Sequence, residues 1–483
     1  MTSNPTEIIQ QIQNKVAKMI ESVTGQQALR LTAYDAEKMV LQDLLTLGAS
    51  LMTAYYQTRA AAFDVASVTK PDGTTLPFHS WKPRQQLTIF GDVRIERSYF
   101  YQSGVGGYFP LDEAVNLPPE LYSDVVQEIH AELAVAQPYR HGHDFLQRWL
   151  NLSVSSRAVQ AVVTESGKSI VAFYEQIPPP VVNAQAEILV AQADGKGVPL
   201  ILGTDSSQSV RPKRGQARSR KKEAMVTTVY TQAAYQRSAA EVTASLFHEN
   251  TGRTPSPKPP PKPCDKMIWA TLEGKEVALT RLQAAVQQRE HARLVHRVAL
   301  CDGAEALQQQ LQEKLPHFTL ILDFIHAYEY LWKAANALYH EDDPQRLAWV
   351  REQTLLLLSG QTTTVIETLQ QAAQQSHAPA ASLKLQQVAN YFERNLPYMA
   401  YDECLRQGWP IASGVIEGAC RHIVKDRMEL SGMRWSQDGA EQLLRLRCVH
   451  HNGHWDTFWE YRRAQRLQPN SANRECSSLP VAA

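Results

Sequence analysis

Two apolar runs that each end in an Asp-Gly pair constrain the fold of this chain most. They are Val190-Ala-Gln-Ala-Asp194-Gly and Val298-Ala-Leu-Cys-Asp302-Gly. Short, nearly continuous apolar runs are typical of strands that are buried on both faces. Open sheets of such strands place their ligands at the carboxyl ends of the strands. The sequence therefore predicts that Asp194 and Asp302 lie together at one edge of a buried sheet.

A third carboxylate, Glu417, lies in a segment with a helical pattern, Ser413-Gly-Val-Ile-Glu417-Gly-Ala-Cys-Arg421. Three acids at one sheet edge would repel one another unless divalent cations bridged them, and carboxylate-bound Mg2+ is one solution for phosphoryl transfer. This set indicates nucleic-acid chemistry. The alternative is two strand-end turns and a surface Glu417 paired with Arg421 one helical turn further on.

Bulk composition limits the class of protein without defining it. The chain has 483 residues, 43% hydrophobic and 20% charged, with a formal net charge of zero. That length allows two to four domains with substantial cores. The six cysteines form no C-x-x-C pair, so neither a disulfide framework nor a four-cysteine zinc site is indicated. No apolar run approaches the roughly 20 residues that span a bilayer, so we expect a soluble protein without membrane contact.

The order of patterns predicts an α/β protein in several parts. Helical spacing of apolar residues precedes a hairpin with a turn at Gly91-Asp92, and Pro178-Pro-Pro precedes the first buried strand. The later succession β-β-β-α-β-α-β suits a ribonuclease H-like core better than a doubly wound dinucleotide fold. The predicted divisions are a helical region at 1–85, a hairpin and helix-turn-helix region at 86–178, the first part of the core at 179–342, an all-α insertion at 343–409, the core completion at 410–468 and a disordered tail at 469–483.

A pair of short helices before the core has a helix-turn-helix pattern. It runs from Arg140 to Leu150 and from Ser155 to about Ser166, with Ser155 as the predicted N-cap. We expect Phe145, Leu146 and Trp149 to face inward. A plain helical hairpin is the alternative. The residues expected on an exposed DNA-reading face are Ser156, Arg157 and Gln160.

Clustered cations predict contacts with DNA phosphates. Seven of the twelve residues from Arg211 to Lys222 are Lys or Arg, and more cations follow Glu417. A solvated loop, and pairing with local acids, are the alternatives. Trp435 is expected to fill core, and the proline-rich segment Thr251–Pro263 to form an extended arm. The predicted phosphate contacts are Arg214, Arg218, Lys221, Arg421, Lys425 and Arg427.

Four blocks in this order resemble the DDE transposases of bacterial insertion sequences, specifically the ISKra type. The likeness covers about residues 86–460, and the Asp323-x-x-His326 step also looks like the C/D-x-x-H signature of Mutator-like transposases. Any one block is weak alone, but four in order are specific. The blocks are Ala193-Asp194-Gly-Lys-Gly, Cys301-Asp302-Gly-Ala-Glu, Asp323-Phe-Ile-His326-Ala-Tyr-Glu-Tyr-Leu-Trp and Gly414-Val-Ile-Glu417-Gly-Ala-Cys-Arg-His-Ile-Val-Lys-Asp-Arg-Met.

The resemblance implies a catalytic and metal-binding triad of Asp194, Asp302 and Glu417, supported by Asp323 and His326. It implies Mg2+, with Mn2+ as the alternative ion, and cleavage and joining of double-stranded DNA at terminal inverted repeats. A homodimer on paired transposon ends, acting on target DNA in the bacterial cytoplasm, is the expected assembly. Two other functions stay open: an inactive transposase-derived DNA-binding protein, and a metal-dependent nuclease without strand transfer.

Overall fold

A computed structural model describes residues 5–181, 186–201, 219–248 and 259–467. Contacts divide the chain into two compact units, Met1–Glu175 with His454–Ala483, and Gln176–Gly453. The architecture is mixed α/β with two sheets, and the finer domain divisions stay predictions. None of the helices in the described ranges is both long and apolar enough to cross a membrane. Outside these ranges lie Arg214, Arg218, most of the proline-rich segment and the predicted tail.

The first unit has four strands between two groups of helices, and in the second unit strands and helices are interspersed before a long run of helices. The strands are β1 Ser67–Thr69, β2 Thr75–Thr88, β3 Gly91–Gln102, β4 Gly106–Tyr108, β5 Ile188–Ile201, β6 Ser219–Gln232, β7 Cys264–Thr271, β8 His296–Cys301 and β9 Thr319–Leu322. The helices are α1 Pro5–Thr24, α2 Ala33–Ala61, α3 Pro110–Ala114, α4 Asp124–Ala136, α5 Tyr139–Leu150, α6 Ser156–Lys168, α7 Ile170–Gln176, α8 Ala239–Leu246, α9 Lys275–Gln287, α10 Glu305–Lys314, α11 Phe324–Leu338, α12 Pro344–Leu358, α13 Thr362–Gln375, α14 Pro379–Asn395, α15 Tyr401–Gln407, α16 Gly414–Ala419, α17 Asp426–Met428, α18 Gln437–His451 and α19 Trp455–Gln465.

The hairpin of the first unit turns two residues earlier than its sequence predicts. Thr88 pairs with Gly91, so Ile89 and Phe90 form the loop instead of Gly91-Asp92. A Cβ atom on Gly48 of α2 would lie only 2.3 Å from the Phe90 ring, which shows how closely this loop packs on the helix. The packing of Phe90 explains why an apolar pair, rather than the Asp-Gly signal, occupies the turn.

The two short helices α5 and α6 have the predicted cap. Asn151 ends α5 with a left-handed φ of 54°, and the Ser155 hydroxyl accepts the backbone N–H of Ala158 at 3.2 Å. Leu146 is buried, but Phe145 and Trp149 are 49% and 44% exposed, which corrects the expectation that all three face inward. They flank the narrow buried stripe of α5, so they remain partly in solvent.

The second unit is built on a five-stranded sheet in the order β7-β6-β5-β8-β9. β5 pairs antiparallel with β6, and β6 pairs antiparallel with β7. β5 and β8, and β8 and β9, pair in parallel. Because strand side chains alternate between faces, the sheet has two cores: Val190 and Leu300 pack towards α11, and Leu189 and Ala299 pack towards α9. Helices α12 to α15 lie in the segment predicted to be the all-α insertion.

Asp194 does not end its strand, contrary to the sequence expectation. β5 continues to Ile201, and it stays paired with β6 as far as the Ile201–Ser219 pair. Its pairing with β8 stops earlier, at Gln192 and Leu300. The antiparallel partner therefore extends β5 beyond the point where the parallel half of the sheet ends, and Asp194 lies at that point.

A buried ion-pair network joins α18 to the end of β7. Glu441, 6% exposed, accepts the backbone N–H of Leu272 at 2.6 Å and the Thr271 hydroxyl at 2.8 Å. Arg445 donates to the same carboxylate at 2.9 Å and to Glu273 at 3.0 Å. Removing Glu441 would leave the buried Arg445 with only the part-exposed Glu273 as its partner, and it would take the acceptor away from the Leu272 N–H.

We predict that Glu441→Ala lowers the free energy of unfolding by about 3 kcal/mol or more, because Arg445 would lose its buried partner. The measurement is urea unfolding followed by tryptophan fluorescence. Glu403→Ala, which removes the surface partner of Arg406, is the matched control and should cost less than about 1 kcal/mol. Equal losses for the two variants would contradict the prediction.

Candidate metal centre

The parallel registers place three aspartates at one level of adjacent strands. Gln192 pairs with Leu300, so Asp194 and Asp302 lie two residues further along the same register. Cys301 pairs with Leu322, so Asp302 and Asp323 lie one residue further. The backbone N–H of Asp323 donates to the Cys301 carbonyl at 2.9 Å, as a parallel ladder continued by one residue requires.

The helix that carries Glu417 is attached to β5 by a buried glutamine. The Gln192 side chain is fully buried, and its Oε1 accepts the backbone N–H of Ile416 in α16 at 3.0 Å. Its amide nitrogen donates to the Tyr230 hydroxyl at 3.3 Å. Because an unpaired N–H at a helix N-terminus is costly when buried, this bond fixes α16 beside Asp194.

A cysteine thiol connects the turn directly after α16 to β5. Cys420 Sγ donates to Asp194 Oδ2 at 3.4 Å. Burial raises the pKa of the Cys420 thiol, and the Asp194 charge raises it further. The thiol therefore stays protonated and serves as a hydrogen-bond donor rather than a thiolate ligand.

Asp323 connects three elements through a fully buried carboxylate. Its Oδ2 accepts His326 Nδ1 at 2.6 Å and the His326 backbone N–H at 3.1 Å, which caps α11. Its Oδ1 accepts the backbone N–H of Ser413 at 2.7 Å. The Ser413 hydroxyl then donates to Glu417 Oε1 at 2.7 Å. One buried acid thus positions both the start of α11 and the start of α16.

His326 is protonated at neutral pH. The hydrogen bond to Asp323 raises the pKa of His326 to about 9 against the effect of burial, and the Asp323 and Asp302 charges add to the rise. Metal-bound histidine must be deprotonated. The protonated ring orients Asp323 through the hydrogen bond from Nδ1 to Oδ2.

Ligand atoms of Asp323, His326 and Glu417 lie within 4.8 Å of one another, the one such group of three or more among the described residues. Asp194 and Asp302 fall outside that limit. The Asp194 Oδ1 accepts the N–H of Gly195 at 2.7 Å, and the Asp302 Oδ1 accepts the N–H of Ala304 at 3.1 Å. The structure thus brings Glu417 closest to the two predicted supporting residues, and the strand register places the two other acids beside them.

The donor set fits a hard divalent cation. Carboxylate oxygens are the ligands that Mg2+ and Mn2+ prefer, and the thiol nearby is protonated. Across the described ranges, both oxygens of Asp323 and both oxygens of Asp194 accept internal donors, whereas Glu417 and Asp302 each have one carboxylate oxygen that accepts none. This difference favours Asp302 and Glu417 as ligands and Asp323 as a positioning residue. Asp194 would bind an ion through an oxygen that already accepts the Gly195 N–H or the Cys420 thiol.

The segment after α16 is a π-helical turn, Cys420–Lys425, a geometry that is frequent at functional sites. It exposes Arg421 and Lys425. Arg427 is only 1% exposed, and its guanidinium lies 4.9 Å from the Trp435 ring centroid, so it does not belong to the predicted DNA-facing surface. Trp435 is buried, and its Nε1 donates to the Met428 carbonyl at 3.0 Å, which confirms its predicted place in the core.

Two of the exposed cations already have acidic partners. Lys221 lies 2.8 Å from Glu429, and Arg421 lies 3.6 Å from Asp426. Exposed ion pairs contribute at most about 1 kcal/mol, so phosphate groups can replace these partners at little cost. In the other unit, Ser156, Arg157 and Gln160 are all exposed on α6.

Sequence reasoning missed three residues that build this centre: Gln192, Ser413 and Cys420. Gln192 had a usable signal, because it is a polar residue inside an apolar strand pattern two positions before Asp194. Cys420 had none, since its partner Asp194 is distant in the chain, and for Ser413 only the hydroxyl contact with Glu417, four residues on, is local.

Comparisons with known proteins leave the family of the chain open. No model of a known protein family matches the sequence, and no curated protein matches it. Among solved structures, the chain is similar to a Drosophila P element transposase strand transfer complex, with 9% identity over 72% of this chain and 82% of that chain. The TM-score is 0.24, and at that value the likeness carries no argument about fold or function.

We predict that Gln192→Ala loosens α16, because the Ile416 N–H loses its buried acceptor. The free energy of opening residues 414–425 should fall by about 1–3 kcal/mol, which raises the amide exchange rate there by about 5- to 150-fold. Hydrogen exchange followed by mass spectrometry measures this. Gln386→Ala, which removes a surface hydrogen bond to Asn390, is the control. Unchanged exchange in α16 would show that Gln192 does not hold it.

Proposed function

We propose that this chain is a DDE-type DNA transposase that cleaves DNA at terminal inverted repeats and joins it to target DNA. The observation that carries the proposal is the strand register of Asp194, Asp302 and Asp323, with the Glu417 helix hydrogen-bonded to the same sheet. The four sequence blocks that resemble DDE transposases contain these same acids. A catalytic interpretation requires these acids to share one sheet edge, and the strand register supports that arrangement.

The strand order supports a ribonuclease H-like core. The chain runs β-β-α-β-α-β-α-β through a sheet of mixed direction, which is the succession predicted from the sequence with one unpredicted helix, α8, between β6 and β7. The helices α12 to α15 separate β9 from the helix of Glu417, which agrees with a core split by an all-α insertion. Fold alone does not define function, so the proposal depends on the acids.

Each residue of the centre has a proposed role. Asp194, Asp302 and Glu417 would hold Mg2+, or Mn2+ in its place. When bound, paired divalent ions activate an attacking hydroxyl and stabilise the leaving oxygen of a phosphodiester. Asp323 holds Ser413 and the start of α11, and protonated His326 orients Asp323 and offers a positive charge near a DNA phosphate.

DNA recognition is proposed for two separate regions. The capped helix pair α5 and α6 supports a helix-turn-helix, with Ser156, Arg157 and Gln160 reading base edges. Lys221, Arg421 and Lys425 are proposed to contact phosphates near the carboxylates, and Arg214 and Arg218 remain predictions from sequence. Two transposon ends must be handled together, so a homodimer on DNA is part of the proposal.

We predict that Asp302→Asn lowers strand joining by about a thousandfold, because losing one metal ligand removes several kcal/mol of transition-state stabilisation. The assay uses DNA ends recovered from the sequence flanking the gene, with Mg2+ and a labelled donor strand. Asp342→Asn, a change at an exposed acid between α11 and α12, is the control and should join normally.

Three other results of that assay would redirect the proposal. Full joining by Asp302→Asn would remove this residue from the catalytic set. Cleavage without joined target by the unaltered protein would favour a nuclease. Specific binding of the ends without cleavage would favour an inactive DNA-binding protein.

We predict that alanine at Ser156, Arg157 and Gln160 relaxes selectivity for the transposon end by about tenfold or more, because each lost base contact removes about 1–3 kcal/mol of discrimination. Cleavage of pre-nicked DNA should be spared. Competition binding between end and random duplexes measures selectivity. Alanine at Glu165 and Lys168, an exposed pair on the same helix, is the control. Uniformly weaker binding would indicate backbone contacts only.

A further inference from the structure

A stacked pair of tyrosines beside the carboxylates holds two cations in place. The rings of Tyr330 in α11 and Tyr391 in α14 are parallel, with an interplanar angle of 3° and centroids 3.7 Å apart. Lys333 Nζ lies 3.7 Å from the Tyr330 centroid, and the Arg394 guanidinium lies 5.6 Å from the Tyr391 centroid. Cation–π attraction restrains both long side chains, which reduces the entropy lost when they bind an anion.

This assembly is in direct contact with the loop after Asp302. Arg394 Nη2 donates to the Gly303 carbonyl at 2.6 Å. A Cβ atom on Gly303 would lie 2.5 Å from the Tyr391 ring, so only glycine allows this approach. The residue next to Asp302 is therefore fixed against the tyrosine pair.

The same residues line a cavity of about 490 Å3 in which all the charged groups are positive. Its lining adds Lys384, and Gln387 and Asn390 contribute amides. Across the described ranges, no carboxylate oxygen lies within 4 Å of the Lys333, Lys384 or Arg394 nitrogens. Neighbouring like charges destabilise each other, so an anionic ligand would relieve this repulsion. We call this cavity, defined by Tyr330, Lys333, Lys384, Tyr391 and Arg394, the cationic pocket.

We propose that the cationic pocket binds backbone phosphates of the DNA strand whose reacting phosphodiester lies at Asp302. The inference rests on the proposed function. The tyrosine faces are covered by each other and by Lys333 and Arg394, which disfavours stacking of a base. Guanidinium, ammonium and amide donors match phosphate oxygens. A cluster of acids repels DNA, and adjacent cations offset that repulsion.

The test is the salt dependence of DNA binding by the full chain in EDTA, where no metal-dependent cleavage occurs. Fluorescence anisotropy is measured over a salt series with labelled single-stranded and duplex oligonucleotides. The triple variant Lys333→Gln, Lys384→Gln, Arg394→Gln should lower the slope of log affinity against log salt by about 2 for single strands and about 2.7 for duplex, since each phosphate contact contributes about 0.7 or 0.9.

A control variant with the same change in net charge is available. Lys314, Arg297 and Arg406 are paired with Glu276, Glu290 and Glu403, so changing all three to Gln removes cations whose charge is already compensated. Its slope should equal that of the unaltered protein. Equal slopes for the two triple variants would overturn the proposal. Competition by inorganic phosphate at low millimolar concentration would instead assign the pocket to a small anion and would also overturn it.

Two further variants keep the test decisive if the triple variant does not fold. Lys384→Gln alone should lower the slope by about 0.7 for single strands. Arg394→Lys, which keeps the charge but changes the contact with Gly303, should retain the slope. If Lys384→Gln leaves the slope of log affinity against log salt unchanged, the proposal that this pocket binds DNA phosphates is overturned. DNA joining by the unaltered protein is measured separately. If the unaltered protein does not join DNA but the variants have a lower salt slope, the proposed function is wrong and the pocket assignment stands. If joining is normal but the variants have the same salt slope as the unaltered protein, only the pocket assignment is wrong.

Discussion

The buried carboxylate of Asp323 is the constraint on which the candidate centre depends. A fully buried acid is costly unless every oxygen is hydrogen-bonded, and Asp323 meets this requirement with donors from His326 and Ser413. Those donors belong to segments almost ninety residues apart in the chain. The hydrogen bonds to the Asp323 carboxylate therefore connect the end of β9, the start of α11 and the segment that leads to Glu417.

Negative and positive side chains form two separate groups around this centre. The acids collect where the parallel strands end, and the π-helical turn after α16 and the cationic pocket beside Asp302 carry exposed cations. A nucleic acid could not approach the acids alone, because like charges at a few ångströms repel strongly. The proposed function depends on this juxtaposition, since a polyanionic substrate would contact the cations while its reacting group meets the carboxylates.

Sequence reasoning did best where local pattern and burial agree. The apolar run before Asp302 predicted the strand that ends there, and the Ser155 cap followed from its place before a helix. It failed where a tertiary contact overrode a local signal. The antiparallel partner β6 extends β5 past Asp194, packing against Gly48 moves the hairpin turn, and Arg427 is buried against Trp435.

The sequence by itself identified the candidate acids and the buried strands near Asp194 and Asp302, because apolar runs and Asp-Gly pairs are local features of the chain. Only the tertiary structure decided how those acids are grouped. The parallel registers align Asp194, Asp302 and Asp323, and the side chains of Gln192 and Ser413 position Glu417. Register and buried hydrogen bonds depend on partners that are distant in sequence, so no local pattern specifies them.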